Sequence, residues 1–192
     1  MILTLKKCYK YPYLLRNLEV NEVNQVWAAD ITYVGLRRGY LYLFAIIDLF
    51  SRYIIEWDIS NSMTANWCAS VVSKALEYHP TPDIFNTDQG TQFTSQIWSK
   101  ILKDNGIQIS MDGKGRAIDN IFIERFWRTY KYEYLYLNNP NGGKELYDQT
   151  QEYMTFYNFE RQHKSINKLT PAEKYFGKKT YFYSTKYSES VV

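Results

Sequence analysis

The 192-residue chain has two cysteines, Cys8 and Cys68, and two histidines, His79 and His163. Four such scattered residues make neither a C-x-x-C pair nor finger spacing, which excludes a structural zinc site and a disulfide framework. Two lone thiols suit a reducing compartment. No apolar run approaches the ~18 residues of a membrane span, and Lys6 interrupts the start of the chain too early for a secretory apolar core. The expectation is therefore a cytoplasmic protein with no membrane partner. Internal repeats and low-complexity tracts are absent. One sign of charge barely prevails: 23 Lys and Arg stand against 20 Asp and Glu, a formal +3 that by itself identifies no nucleic-acid binder. What is present is 45% hydrophobic and 22% charged residues, enough to build a core in one domain of ordinary size. The charge is also unevenly placed. Residues 1–29 carry 4 basic and 2 acidic groups, residues 30–112 carry 6 and 9, and residues 113–192 carry 13 and 9.

Residues 26–36 and 40–50 are rich in Val, Ile, Tyr, Phe and Leu and are joined by Arg37-Arg38-Gly39, which predicts an antiparallel hairpin; residues 51–59 extend it to a three-strand meander. From Met63 to Tyr78 the period changes: Trp67, Val71, Ala75 and Tyr78 fall at helical spacing behind the capping Thr64, and His79-Pro80 ends the helix. A short strand at 83–86, a helix at 95–105 stopped by Gly106 and a strand at 108–111 follow. Asp119-Asn120 opens a long helical stretch to about Leu137, and further helices are expected at 144–159 and from Pro171. The order predicts an α/β fold: a mixed sheet with helices on its faces.

Most carboxylates have structural readings. Asp104 and Asp112 fall at a helix end and a turn, Glu145, Asp148 and Glu152 on a solvent face, and Asp48 beside Arg52, with which it could pair. Three resist that reading. Asp30 lies mid-strand in W-A-A-D-I-T-Y, Asp88 just past a strand end in N-T-D-Q-G, and Glu124 one turn inside a helix in D-N-I-F-I-E-R-F-W. Converging oxygen ligands suit hard cations such as Mg²⁺ or Mn²⁺, and two such ions can clamp both oxygens of an in-line phosphoryl transfer. Asp119, at the helix start, is a rival to Glu124, although the cap explains it better.

Between Asp88 and Glu124 lie 35 residues, and Lys131 stands 7 beyond Glu124. With the words N-Q-V-W-A-A-D-I-T-Y, D-L-F-S-R, T-D-Q-G-T-Q-F-T-S, D-N-I-F-I-E-R-F-W, Y-N-F-E-R-Q-H and T-P-A-E, all in order, the sequence resembles the DDE transposases and retroviral-type integrases. It looks most like the downstream OrfB product of the two-frame insertion-sequence transposases. The resemblance implies an RNase H-like fold with a five-stranded mixed sheet flanked by helices. It also implies a catalytic, metal-binding triad of Asp30, Asp88 and Glu124 using Mg²⁺ or Mn²⁺, two ions in all. The reaction implied is cleavage at the element's ends by activated water, then attack of the freed 3′-hydroxyl on target DNA.

The same resemblance organises the basic residues. Lys131 and Arg128, on the helix face of Glu124, are placed to hold phosphate. Lys114 and Arg116 in the preceding glycine-containing loop are candidates for DNA contacts or ordinary loop charges. Arg161 and His163, in Y-N-x-x-R-x-H with Asn158, are expected to position DNA or the catalytic helix. Trp127, Tyr130, Tyr132, Tyr134 and Tyr136 either stack on bases or, for at least half of them, fill the core. The expected organisation is an N-terminal extension at 1–24, an integrase-like catalytic core at 25–177 and a C-terminal tail at 178–192. Some 25 residues ahead of the core are too few for a helix-turn-helix module. A helix-turn-helix partner product or fused N-terminal domain is therefore expected to supply end recognition, and the active complex to be a homo-oligomer on DNA in a bacterial nucleoid. Two rival readings are a truncated, non-catalytic DNA-binding regulator of transposition and a relative of RNase H or the resolvases.

Overall fold

Strand β1 (Val26–Gly35) turns at Gly39, whose φ of 82° is open to glycine, into β2 (Tyr40–Asp48), and β3 (Ile54–Ser60) completes an antiparallel meander. The computed structural model describes residues 11–112 and 121–177. Strands β4 (Ile84–Thr87) and β5 (Gln108–Met111) add in parallel on the other side of β1, giving the order β3-β2-β1-β4-β5. This is the five-stranded mixed sheet expected from the sequence.

The third strand begins later than its composition suggests. Residues 49–53 instead form a turn around Asp48, whose buried Oδ1 accepts from Ser51 N at 2.7 Å and Ser51 Oγ at 2.6 Å, while Oδ2 accepts from Asn24 N at 2.8 Å. The anticipated Asp48–Arg52 pair does not form. Arg52 takes a positive φ of 69°, its Nη1 donates to the Leu49 carbonyl, and its guanidinium lies 3.4 Å over the Phe122 ring. A neutral donor set suffices for a carboxylate that burial already pushes upward.

Helix α1 (Ala65–Tyr78) starts where Thr64 accepts from Trp67 N at 3.2 Å and ends at His79, ahead of Pro80. Helix α2 (Gln96–Asp104) is capped in the same way by Ser95, and Gly106, at φ 74°, reverses the chain into β5. The C-terminal half holds α3 (Ile121–Tyr130), a π-helical turn at Lys131–Leu135, the short α4 (Tyr136–Asn138) and α5 (Gly143–Phe159). The chain then reaches α6 (Pro171–Phe176), which opens with a reciprocal Thr170–Glu173 capping box.

Strand alternation divides the core in two. Trp27, Ala29, Phe44 and Ile46 meet α1, α2 and α6 through Val72, Ala75, Trp98, Leu102 and Tyr175 on one face. Val26, Ala28, Leu43, Ala45 and Ile47 meet α3 and α5 through Ile123, Phe126, Trp127, Tyr153 and Tyr157 on the other. Residues 11–23 are not detached from this body. Pro12 O accepts from Met111 N and Leu14 N donates to Ser110 Oγ, so this segment borders β5, while Leu14, Leu15 and Leu18 pack against the α3 face.

Candidate active site

Asp30 occupies the middle of β1 on the α3 face of the sheet, continuing the alternation of Val26 and Ala28. A carboxylate here replaces an apolar side chain in the strand pattern, and burial is the main force pushing its pKa up to about 6. The Ile31 backbone and the Trp127 indole, whose Nε1 donates to Oδ2 at 2.9 Å, act in the opposite direction. The charges of Asp88 and Glu124 then raise it further, so the three carboxylates lie within electrostatic reach of one another.

Asp88 follows the last residue of β4. The parallel register that pairs Ala28 with Asn86, continued by two residues, sets Asp88 level with Asp30. Its Oδ1 accepts from Gly90 N at 2.9 Å, and a Cβ at Gly90 would stand 2.9 Å from the same oxygen and press on the side chain of buried Gln92. Beneath this loop, Asn86 Nδ2 donates to Asp112 Oδ1 and Gln89 Nε2 to Asp112 O, both at 2.8 Å. Asp112, read as a turn residue, thus ties the Asp88 loop to the end of β5. Neither Asn86 nor Gln89 carries a sequence signal for that role, because the contacts span 26 and 23 positions.

Glu124 lies exposed in the first described turn of α3. The three carboxylates make no ion pair among the described residues. Their side chains offer only oxygen donors, the chemistry that suits a hard divalent cation. No three acidic, histidine or cysteine side chains among the described residues are drawn close enough to form a finished coordination cage. Asp119 lies outside the described residues, as do Lys114 and Arg116.

Lys131 is partly buried where α3 passes into the π turn. Burial lowers its pKa, and the charge of Asp30 works against that fall, placing the ammonium near the acidic group. Among the described residues it has no ion-pair partner, and the same holds for exposed Arg128. Arg161 is differently engaged. Its Nε and Nη2 form a fork on Glu133 at 2.8 and 2.7 Å, binding the end of α5 to the π turn. His163 packs its ring 4.8 Å from that of Tyr157, and burial foremost, then the Arg161 charge, lowers its pKa to about 4, so it is neutral at physiological pH. Of the aromatic residues, Trp127 and Tyr130 are core, Tyr134 is half-buried and donates to Glu152, and Tyr132 and Tyr136 are exposed, ring to ring at 5.4 Å. Among the described residues no helix is long and apolar enough to cross a membrane.

Comparison with known proteins bears on the family and the fold. One model described as "Integrase core domain" matches residues 20–117 and a second of the same description matches residues 105–171. The InsK transposase of insertion element IS150 from Escherichia coli is 33% identical over 163 residues, covering 83% of this chain and 57% of the relative. The transposase of element IS904 from Lactococcus lactis is 36% identical over 156 residues, covering 78% of this chain and 60% of the relative. The chain thus spans little more than half the length of these relatives. Among solved structures, the catalytic core domain of HTLV-2 integrase in complex with magnesium superposes with a TM-score of 0.65 at 20% identity, over 80% of this chain and 97% of that one. A chain of the simian T-cell lymphotropic virus intasome gives 0.73 at 18% identity, over 88% and 59%. These likenesses show the RNase H-like fold.

Proposed function

Because the chain belongs to the integrase core domain family, we propose that it is the catalytic portion of an insertion-sequence transposase, a DDE-type polynucleotidyl transferase that cleaves element ends and joins them to target DNA. The observation that carries the reading is the state of Asp30. A half-buried carboxyl whose pKa desolvation pushes up to about 6, with the charges of Asp88 and Glu124 adding to the rise and with no ion-pair contact among the described residues, is an arrangement that folding alone does not favour.

Asp30, Asp88 and Glu124 are the ligands in this reading, and their oxygen chemistry suits Mg²⁺ or Mn²⁺. Two ions bound there would supply Lewis acidity to the attacking and leaving oxygens of an in-line phosphoryl transfer. The protein's own part is positioning. Strand β1 fixes Asp30, the Asp112-tied loop fixes Asp88, and the Trp127–Asp30 hydrogen bond holds the helix bearing Glu124 against the strand. Lys131, partly withdrawn from water, grips the phosphate next to the cleavage point, with Arg128 further out. Lys114, Arg116, Arg161 and His163 complete the proposed DNA-facing set. The fork to Glu133 supports the helix-positioning role for Arg161, and a neutral imidazole makes His163 a hydrogen-bonding rather than a charged contact.

The core at 25–177 works within an oligomer, since two element ends must be joined, and a helix-turn-helix partner or fused domain recognises those ends. The test is purified protein on labelled element-end DNA with Mn²⁺, with and without such a partner. Cleavage and strand joining that require the divalent ion support the reading. DNA binding that ignores the ion and yields no cleavage would favour the truncated regulator.

A further inference from the structure

Strand β1 outruns its parallel neighbour. It pairs with β4 only from Val26 to Ala28, but with β2 as far as Gly35, so from Asp30 onward one edge of β1 has no strand partner among the described residues. Along this stretch Asp30 faces the α3 side. Tyr33, three residues on, faces the other, about 10 Å further along the strand, or roughly three stacked nucleotides.

Tyr33 is not alone there. It sits directly opposite Tyr42 in the antiparallel register, and Tyr40 is two residues from Tyr42 on the same face. Their ring centroids are 5.1 Å apart for Tyr33–Tyr42, 5.5 Å for Tyr33–Tyr40 and 5.5 Å for Tyr40–Tyr42. Tyr33 and Tyr40 are each 55% exposed, an aromatic surface that adds nothing to the core. The hairpin tip between them bears exposed Arg37 and Arg38. Glu145 feels the charge of Arg37, while Arg38 has no ion-pair partner among the described residues.

Resting on the transposase reading, we propose that the β1–β2 hairpin is a binding site for an unpaired DNA strand beside the catalytic carboxylates, with bases stacked on Tyr33 and Tyr40 and phosphates held by Arg37 and Arg38. Phenol rings give stacking area to any base, and guanidinium groups give charge to any phosphate, so the site is indifferent to sequence. A strand that crosses the unpaired edge of β1 from the Asp30 face to the Tyr33 face meets the carboxylates at one end and the tyrosines at the other. Charge decides between occupants: two arginines at the rim of an aromatic platform complement a polyanion, and they repel the same patch on a second copy of the chain.

The test is binding of a fluorescent oligothymidylate of about 12 nucleotides in EDTA, so that no cleavage intervenes, together with photo-cross-linking of an iodouridine version and peptide mapping. Tyr33→Ala/Tyr40→Ala is expected to weaken binding about tenfold, whereas Tyr33→Phe/Tyr40→Phe, which keeps the rings, binds like wild type. Arg37→Gln/Arg38→Gln is expected to lower the salt dependence of log Kd by about 1.4. Cross-links are expected on the hairpin peptide. Unchanged affinity and salt dependence in the Ala and Gln variants would overturn the proposal, as would absence of any binding by wild type. Loss of self-association in those variants with DNA affinity intact would also overturn it, in favour of a second copy. Metal-dependent cleavage is read separately in the same preparations, so failure of the hairpin site and failure of the transposase reading are distinguishable.

Discussion

The Trp127 indole donates to Asp30 Oδ2 at 2.9 Å, tying the helix that carries Glu124 to the strand that carries the first carboxylate, across 97 positions of sequence. Trp127 is 6% exposed, and its ring packs with Phe126 and Ile123 against the sheet. Both packing and hydrogen bonding therefore fix the distance between two of the three acids.

Replacing Trp127 by Phe keeps an aromatic side chain and deletes the donor. A hydrogen bond to a charged acceptor contributes roughly 1.5–3 kcal/mol, so cleavage is expected to slow by about ten- to a hundredfold. The bond lowers the Asp30 pKa, so its loss raises that pKa and moves the acid limb of the pH–rate profile to higher pH. A pH series of initial cleavage rates checks both effects.

Asp30→Asn is expected to abolish cleavage and stabilise the fold. The wild-type carboxyl is raised from 3.8 to about 6, so its contribution to stability is complete below pH 3.8 and is lost as pH rises through 6. That loss corresponds to about 3 kcal/mol at pH 8. The Asn variant does not incur it. Its Tm in metal-free buffer should exceed the wild-type value at pH 8, and the gap should close below pH 4.

Gly90→Ala probes the Asp88 loop. The added methyl meets Asp88 Oδ1 at 2.9 Å and presses on Gln92, whose side chain is buried and has little room to yield. Displacing a reacting group by about 1 Å can cost a hundredfold in rate. Cleavage should fall by one to two orders of magnitude while far-UV circular dichroism stays the same.

The Arg161–Glu133 fork makes a charge swap informative. Arg161 holds the Glu133 carboxyl below its ordinary range by hydrogen bonding foremost. This contribution to stability is present above the usual Glu pKa and fades as pH falls through the lowered one. Arg161→Glu alone should impair cleavage, and adding Glu133→Arg should restore much of it if the pair holds the π turn in place. A direct phosphate contact by Arg161 would leave the double variant as weak as the single one. Cleavage rates of the two single variants and the double variant settle which role prevails.

Much of this architecture is legible in the residues themselves. Thr64, His79-Pro80 and Gly106 mark their boundaries through local chemistry, and the hairpin at Gly39 follows from its flanking strands. The strand, strand-end and helix positions of Asp30, Asp88 and Glu124 were equally readable. What escaped reading depends on contacts between distant positions. The π turn at Lys131–Leu135 interrupts a helix whose residues favour continuation, and its partner Arg161 is 28 residues from Glu133. Asp48 departs from the pair that charge suggests with Arg52 because its partners Asn24 and Ser51 are neutral groups.

The most direct measurement is single-turnover cleavage of labelled element-end DNA in Mn²⁺ by wild type, Asp88→Ala and Glu124→Gln at matched DNA occupancy. Wild type is expected to cleave and join, and each variant to lose at least a thousandfold in rate, about 4 kcal/mol, with DNA binding retained. Wild-type rates in both variants would contradict the assignment of the triad.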